Sequence, residues 1–438
     1  MKALIIPLPF SGHLNPIIKL ARELLTHDFE VVFCGNQDVS VFTNQQSFKY
    51  IALHSLPFGI SMDGISHQDS KNKWLENLID RWTDKVFNER KTALESIVSR
   101  QMPTHIFIDT FLSTDFIILY PLITKLKIKV FFLQTMLPTH YDGITPPLNS
   151  ALSPQKDFIL SKKAWDKYFW ERSLQLLKQN LLYLGKSDRA IVNQKFNIQK
   201  IPDEFAPVRN KVFHVGFKNI PELILAPKEF DFLERKLLDW QQYLGVMVDI
   251  NRVEIINEDF VQDLNHFQNK YKGLIYCSLG TVNNIIDIEK ARQFFEYQIE
   301  VFKTLKDYGL IISVGKAIKK QLQSLPQNVL VYDTLPQLYL LERTQLFITH
   351  GGLNSTLESI LKGVPMLVCP IIGKYDTKGN AARVVYHGLG MIENFEKTSV
   401  ETSKTKISKL INDESYKNNI STVQNKLKKV QKWYFLTV

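Results

Sequence analysis

The stretch Thr349-His350-Gly351-Gly352-Leu353-Asn354-Ser355-Thr356-Leu357-Glu358 gathers the groups that hold an anion. Paired glycines let backbone amides approach an oxygen, Asn354 and Ser355 add side-chain donors, and the amides at a helix start favour a phosphate. His350 offers another donor. Glu358 falls one turn into that helix, where a carboxylate can accept hydrogen bonds from the hydroxyls of a ribose. A second loop, Ser278-Leu279-Gly280-Thr281, brings hydroxyls and a tight glycine turn to the same diphosphate. Each feature alone is ordinary capping chemistry; the combination points to a nucleotide site. Two further side chains, His13 and Asp109, follow short apolar runs. An imidazole titrates near neutrality and suits proton transfer, although read alone His13 is a hydrogen-bonding residue of a loop.

Strands and helix starts must position these groups. Residues 3–6 form an unalternating apolar run, as in a strand buried on both faces of a parallel sheet. Asn15 can cap a helix with Pro16 at its first position, and Ile17, Leu20, Ala21, Leu24 and Leu25 then form one apolar stripe. With a strand at residues 31–34, the segment 3–34 reads as a βαβ unit, which puts His13 in a loop at a strand's carboxyl end. Runs at 106–108 and 129–132 continue the pattern. Asp109 then ends a parallel strand, whereas its rival Asp115, six residues on, suits a helix face. Apolar runs at 223–225 and 243–245 close the first half. The second half repeats strand, loop and helix from 274–277 through 310–313, 329–331, 346–348 and 366–368. Two doubly wound α/β units follow, with ligands at the carboxyl ends of their strands.

Size and composition agree. A chain of 438 residues exceeds what one core serves, and 45% apolar with 22% charged residues is the balance of a globular α/β protein. The net charge of +10 comes from scattered lysines without an aromatic-and-basic signature, so no nucleic-acid partner is expected. Cys34, Cys277 and Cys369 lie in or beside strand-like runs with no metal-ligand spacing, as reduced core thiols of a cytoplasmic protein do. No apolar run reaches the length of a membrane span, and the start Met1-Lys2-Ala3-Leu4-Ile5-Ile6-Pro7 is too short for a signal-peptide core. A monomer is expected. Between Tyr141 and Tyr183, a helical segment carries Trp165, Tyr168, Phe169 and Trp170, which either wall an apolar pocket or pack as core.

Leu335-Pro336-Gln337, Phe347 to Gly352, Asn354 to Glu358, Gly363-Val364-Pro365, Pro370, Asp376 and Asn380-Ala381 together resemble the nucleotide-sugar signature of family 1 (UGT-type) glycosyltransferases. The resemblance extends to Pro9 through Pro16 and to Ser278-Leu279-Gly280-Thr281, and thins between about 40 and 270. It implies the GT-B fold: two Rossmann-like domains facing across a cleft, with an acceptor domain at 1–240, a linker at 241–256 and a nucleotide-sugar domain at 257–415. A helix at 416–438 would pack back on the first domain. In that family His13 would be the general base and Asp109 the group that orients it. Ser278, Thr281, Leu335, Gln337, His350, Gly351, Gly352, Asn354, Ser355, Glu358, Asp376 and Thr377 would hold the donor.

The implied reaction is inverting transfer of a hexose from a UDP-sugar to a hydroxyl of a small lipophilic acceptor. The nucleotide sugar serves as co-substrate, without cofactor or metal, since no Asp-x-Asp occurs. Two positions depart from the signature. Thr334 replaces the tryptophan that stacks on uracil, and Thr377 replaces the glutamine that grips the sugar, so UDP-glucose has other UDP- and dTDP-hexoses as rivals. A sugar-nucleotide isomerase on the same scaffold is the alternative of another class. An NAD oxidoreductase lacks its Gly-x-Gly-x-x-Gly. At the C-terminus Val423, Leu427, Val430 and Tyr434 share one helical face. Docking on the protein competes there with peripheral contact to an anionic membrane through Lys426, Lys428, Lys429 and Lys432.

Overall fold

Residues 3–6 are wholly buried because their strand has a parallel neighbour on either side. The computed structural model describes residues 1–59, 73–252, 254–280, 287–322, 325–371, 373 and 375–428. They divide into two units, each with its own sheet. The first comprises Met1–Pro147, Ile159–Ala226 and Arg235–Met247; the second comprises Leu148–Phe158, Pro227–Glu234 and Val248–Val438.

The first unit contains β1 (Lys2–Ile6), β2 (Glu30–Gly35), β3 (Lys49–Ala52), β4 (His105–Asp109) and β5 (Lys129–Gln134). A two-stranded antiparallel ribbon, β6 (Pro207–Val208) and β7 (Gly216–Phe217), precedes β8 (Glu222–Ile224) and β9 (Gln241–Tyr243). The main sheet is parallel throughout, in the order β3-β2-β1-β4-β5-β8-β9. Leu4, Ile6, Val32, Ile106, Ile108 and Phe132 join one continuous core under the flanking helices.

The second unit carries β10 (Gly273–Ser278), β11 (Tyr308–Ser313), β12 (Val329–Tyr332), β13 (Leu346–Thr349), β14 (Met366–Val368) and β15 (Gly390–Ile392). These form a parallel sheet ordered β12-β11-β10-β13-β14-β15. Strand order reverses between β1 and β4 in the first sheet and between β10 and β13 in the second. Such a reversal opens a crevice at the strands' carboxyl ends, because successive helices leave toward opposite faces. Each unit is thus a Rossmann-like doubly wound α/β layer structure. Cys34, Cys277 and Cys369 are buried free thiols.

Several expectations need correction. The first helix, α1 (Ser11–Thr26), begins four residues before Asn15, with Pro16 inside it. The amides of His13 and Leu14 donate to Phe10 O at 2.8 and 2.9 Å, closing the first turn early. Phe10 supplies no side-chain cap, so nothing in the sequence marks this start. His13 therefore belongs to a helix's first turn rather than to a loop. The last strand of the first sheet ends at Tyr243, just before Gly245 adopts φ +85. A single boundary near 240 is also too simple, because residues 148–158 and 227–234 pack with the second unit. Asp231 pairs there with Arg383 at 2.6 Å, both side chains buried.

The aromatic helix spans Phe158–Leu182. Trp165 is core: it is buried, stacks on Phe169 at 5.4 Å and donates through Nε1 to Thr145 O at 2.9 Å. Trp170, at 63% exposure, is not. The helix Glu414–Leu427 buries Ile420, Val423 and Leu427. Within the second unit it packs against the helix Leu353–Leu361 and the turn Lys228–Phe230. Residues 429–438, with Val430 and Tyr434, lie outside the described residues. No helix among the described residues is long and apolar enough to cross a membrane.

Candidate active site

Three adjacent strand ends of the first unit deliver three side chains to one point. His13 lies in the helix that follows β1, Asp109 ends β4, and Thr135 directly follows β5. Asp109 Oδ2 lies 2.7 Å from His13 Nδ1, and Thr135 Oγ1 lies 2.7 Å from the same nitrogen. The other Asp109 oxygen accepts from the Phe111 amide at 2.9 Å and so caps the short turn Thr110–Leu112. Asp109 is fully buried, and the imidazole is partly exposed at 15%. A carboxylate only accepts, so the hydrogen between the two groups belongs to Nδ1, and the lone pair stands on Nε2. Phe111 meets the imidazole edge-on at 5.2 Å between ring centroids, restricting its rotation. Asp115 lies elsewhere: it forms a buried two-point ion pair with Arg90, at 3.0 Å to Nε and 2.5 Å to Nη2.

In the second unit β10 and β13 run side by side, with Ser278 in register with Thr349. Their two loops therefore leave the sheet together. Ser278 Oγ accepts from the Gly280 amide at 3.0 Å, and Gly280 turns at φ +69. Gly351 adopts φ +89, where a Cβ would come within 2.7 Å of Val368 Cγ1 and 3.0 Å of Thr377 O. Gly352 caps the helix Leu353–Leu361 without a side-chain oxygen. A Cβ on Gly352 would strike His350 Nε2 at 2.7 Å, and one on Gly280 would meet His350 Cε1 at 3.0 Å. His350 is thus wedged between the two glycine turns. Burial pushes its pKa down to about 4, so the ring is neutral near pH 7 and carries one donor and one acceptor. Its Nδ1, with Thr356 Oγ1 and Asn380 Oδ1, is buried with no hydrogen-bond partner among the described residues. Partnerless buried polar atoms are costly and call for a ligand or water.

Comparison with known proteins finds similarity concentrated in the second unit. Residues 232–431 match the model of the UDP-glucoronosyl and UDP-glucosyl transferase family. That segment of the chain is thus similar to UDP-glycosyltransferases. The chain is 34% identical to the uncharacterized UDP-glucosyltransferase YojK of Bacillus subtilis (strain 168), over 39% of this chain and 40% of that protein. It is 32% identical to the NDP-glycosyltransferase YjiC of the same bacterium, over 35% of this chain and 38% of the relative. These matches thus span well under half the length of either relative. Across its whole length the fold is that of the glycotransferase of kitacinnamycin: TM-score 0.67 at 18% identity, covering 98% of this chain and 94% of that one. The architecture is accordingly GT-B.

The family signature maps onto connected groups. Gln337, at the start of the helix Gln337–Leu341 and just after the half-buried Leu335, donates from Nε2 to Ser355 Oγ at 3.2 Å and Glu358 Oε2 at 2.5 Å. Asn354 and Ser355 occupy the first turn of the helix Leu353–Leu361. Asp376 heads the helix Thr377–Tyr386 and accepts from Asn380 Nδ2 at 2.9 Å, while the same amide group donates to Gly351 O at 2.9 Å. Asn380 thereby ties the Asp376–Thr377 turn to the diglycine turn; Thr377 is buried. Thr281 lies outside the described residues.

Two contributors escape the sequence reading. Thr135 is a short polar residue after a strand, with no motif around it. Arg252, within the segment expected to be a linker, reaches Glu358 through Nη1 at 2.5 Å and Nη2 at 3.2 Å. It also meets Glu254 at 3.1 Å. Burial lowers the pKa of Arg252, but Glu358 and Glu254 outweigh that and leave it above its ordinary value. Glu254 in turn accepts from the amides of Leu338 at 3.1 Å and Tyr339 at 3.0 Å.

Proposed function

We propose that this chain transfers a hexose from a UDP-sugar to a hydroxyl of a small lipophilic acceptor, inverting the anomeric carbon and needing no metal. The single observation that carries this reading is the His13–Asp109 contact at the β1/β4 reversal, which fixes the tautomer whose Nε2 can take a proton. Nε2 removes the acceptor's hydroxyl proton as the oxygen attacks the anomeric carbon, and Asp109 stabilises the imidazolium that forms. The bond from that carbon to the diphosphate oxygen breaks as the new one forms. Attack opposite the leaving group gives inversion.

The departing diphosphate takes up negative charge. The turn at Gly351–Gly352, the first amides of the helix Leu353–Leu361 and the buried donor of His350 are suited to receive it. These groups do the work a metal does in other transferases. A dTDP-sugar is the second donor reading, favoured by Thr334 in the position of the uracil-stacking tryptophan; a similarly folded chain, the spinosyn rhamnosyltransferase SpnG, is known complexed with thymidine diphosphate. The deciding experiment follows UDP release from UDP-glucose with and without a panel of ring-bearing alcohols. Acceptor-dependent release with a glycosylated product supports transfer, whereas conversion of the donor sugar without any acceptor supports an isomerase instead.

A further inference from the structure

Glu358 was expected to receive ribose hydroxyls, yet the structure fills it with protein donors. Its carboxylate has two oxygens and about four lone-pair positions. Arg252 Nη1 takes one at 2.5 Å, Arg252 Nη2 a second at 3.2 Å, and Gln337 Nε2 a third at 2.5 Å. One position remains. A ribose presents two adjacent hydroxyls as donors, whereas a 2′-deoxyribose presents one.

The clamp is anchored from behind. Arg252 is bridged to Glu254, whose carboxylate is fixed by the two amides at the start of the helix Gln337–Leu341. Glu358 is almost completely buried, and separating a buried charged pair is costly, so Arg252 does not leave it freely. Resting on the donor reading above, the geometry points to Arg252 as a specificity-determining residue: by occupying Glu358 it removes selection for the 2′-hydroxyl, and the site takes 2′-deoxynucleoside diphosphates as readily as ribonucleoside diphosphates.

UDP and dUDP differ only in that hydroxyl, which makes them the probes. Calorimetric titration of the full chain is expected to give dissociation constants within about threefold of each other. In Arg252→Ala, which frees two acceptor positions, UDP should gain and the ratio should widen to about tenfold or more, the worth of one hydrogen bond to a charged group. Arg252→Lys, with a single compact ammonium, should fall between, and it serves if the alanine variant melts before titration. Adding Glu358→Gln to Arg252→Ala should narrow the ratio again. A wild-type chain that prefers UDP by tenfold or more overturns the inference without any variant, as does an unchanged ratio in both Arg252 variants. Failure of both nucleotides to bind the wild-type chain overturns the donor reading itself, which is a distinct result.

Discussion

Asp109 divides its two carboxylate oxygens between two tasks: Oδ2 contacts His13 Nδ1 at 2.7 Å, while Oδ1 caps the backbone at Phe111. The second bond holds the carboxylate in one rotamer, so the first fixes the imidazole's position as well as its tautomer. The carboxylate is fully buried, out of reach of bulk solvent.

This arrangement predicts graded losses. His13→Ala should lower kcat by ~10²–10⁴-fold while UDP binding is retained, the usual consequence of losing a general base. Asp109→Asn should be milder, since it misorients the base and leaves it present. Thr135→Val should cost less than about tenfold, because one neutral partner is lost and the ionic one stays. Single-turnover rates with calorimetric UDP affinities distinguish the three; equal turnover in His13→Ala would sink the base assignment.

Asp115→Asn should behave differently. It breaks a buried two-point pair with Arg90, leaving a cation without its counter-charge, at a cost of about 3–5 kcal/mol. A lowered melting temperature with turnover per folded molecule preserved is expected. A variant that keeps its melting temperature but loses turnover would move the catalytic carboxylate from Asp109 to Asp115.

Acid should weaken the fold through its buried histidines. His140, His214 and His350 are each held near a pKa of about 4 by burial, against about 6.5 when unfolded. Between those values the unfolded chain binds more protons, so stability is complete above pH ~6.5 and declines as pH falls toward 4. A shift of this size is on the order of 3 kcal/mol per histidine. Melting temperatures across pH 4–8 check it; a flat profile from 6.5 to 4.5 would contradict it. UDP affinity should show no titration near pH 6.5 that His350→Gln abolishes, because the neutral ring is already the working form.

Gly351→Ala should lower UDP affinity by about tenfold or more, since the added carbon meets Val368 and the Thr377 backbone at a φ of +89. Transfer activity should also survive excess EDTA. Activity lost to chelation and restored by Mg²⁺ or Mn²⁺ would assign the diphosphate's charge to a cation.

Much of this was legible in the sequence because strand ends and glycine turns are local signals. Asp109 could be placed from residues 106–108 alone, and the 349–358 turn from its own glycines. The start of α1 was not, because Phe10 carries no capping oxygen and Pro16 mimics a first helical position. Arg252 was missed for another reason: its partner Glu358 is 106 residues away, and no spacing rule reports a contact formed only by the fold. The same holds for Asp231 and Arg383, 152 residues apart.

That last pair bears on how the chain can be taken apart and recombined. A chimera joined near residue 240 would keep Arg383 from one parent and Asp231 and Phe232 from the other. The guanidinium lies 4.1 Å from the centre of the Phe232 ring and bonds Asp231 through both Nε and Nη2. Units exchanged between related chains should therefore leave residues 148–158 and 227–234 with the parent that supplies the second unit. Those segments thus belong structurally to the second unit although most of their sequence neighbours belong to the first.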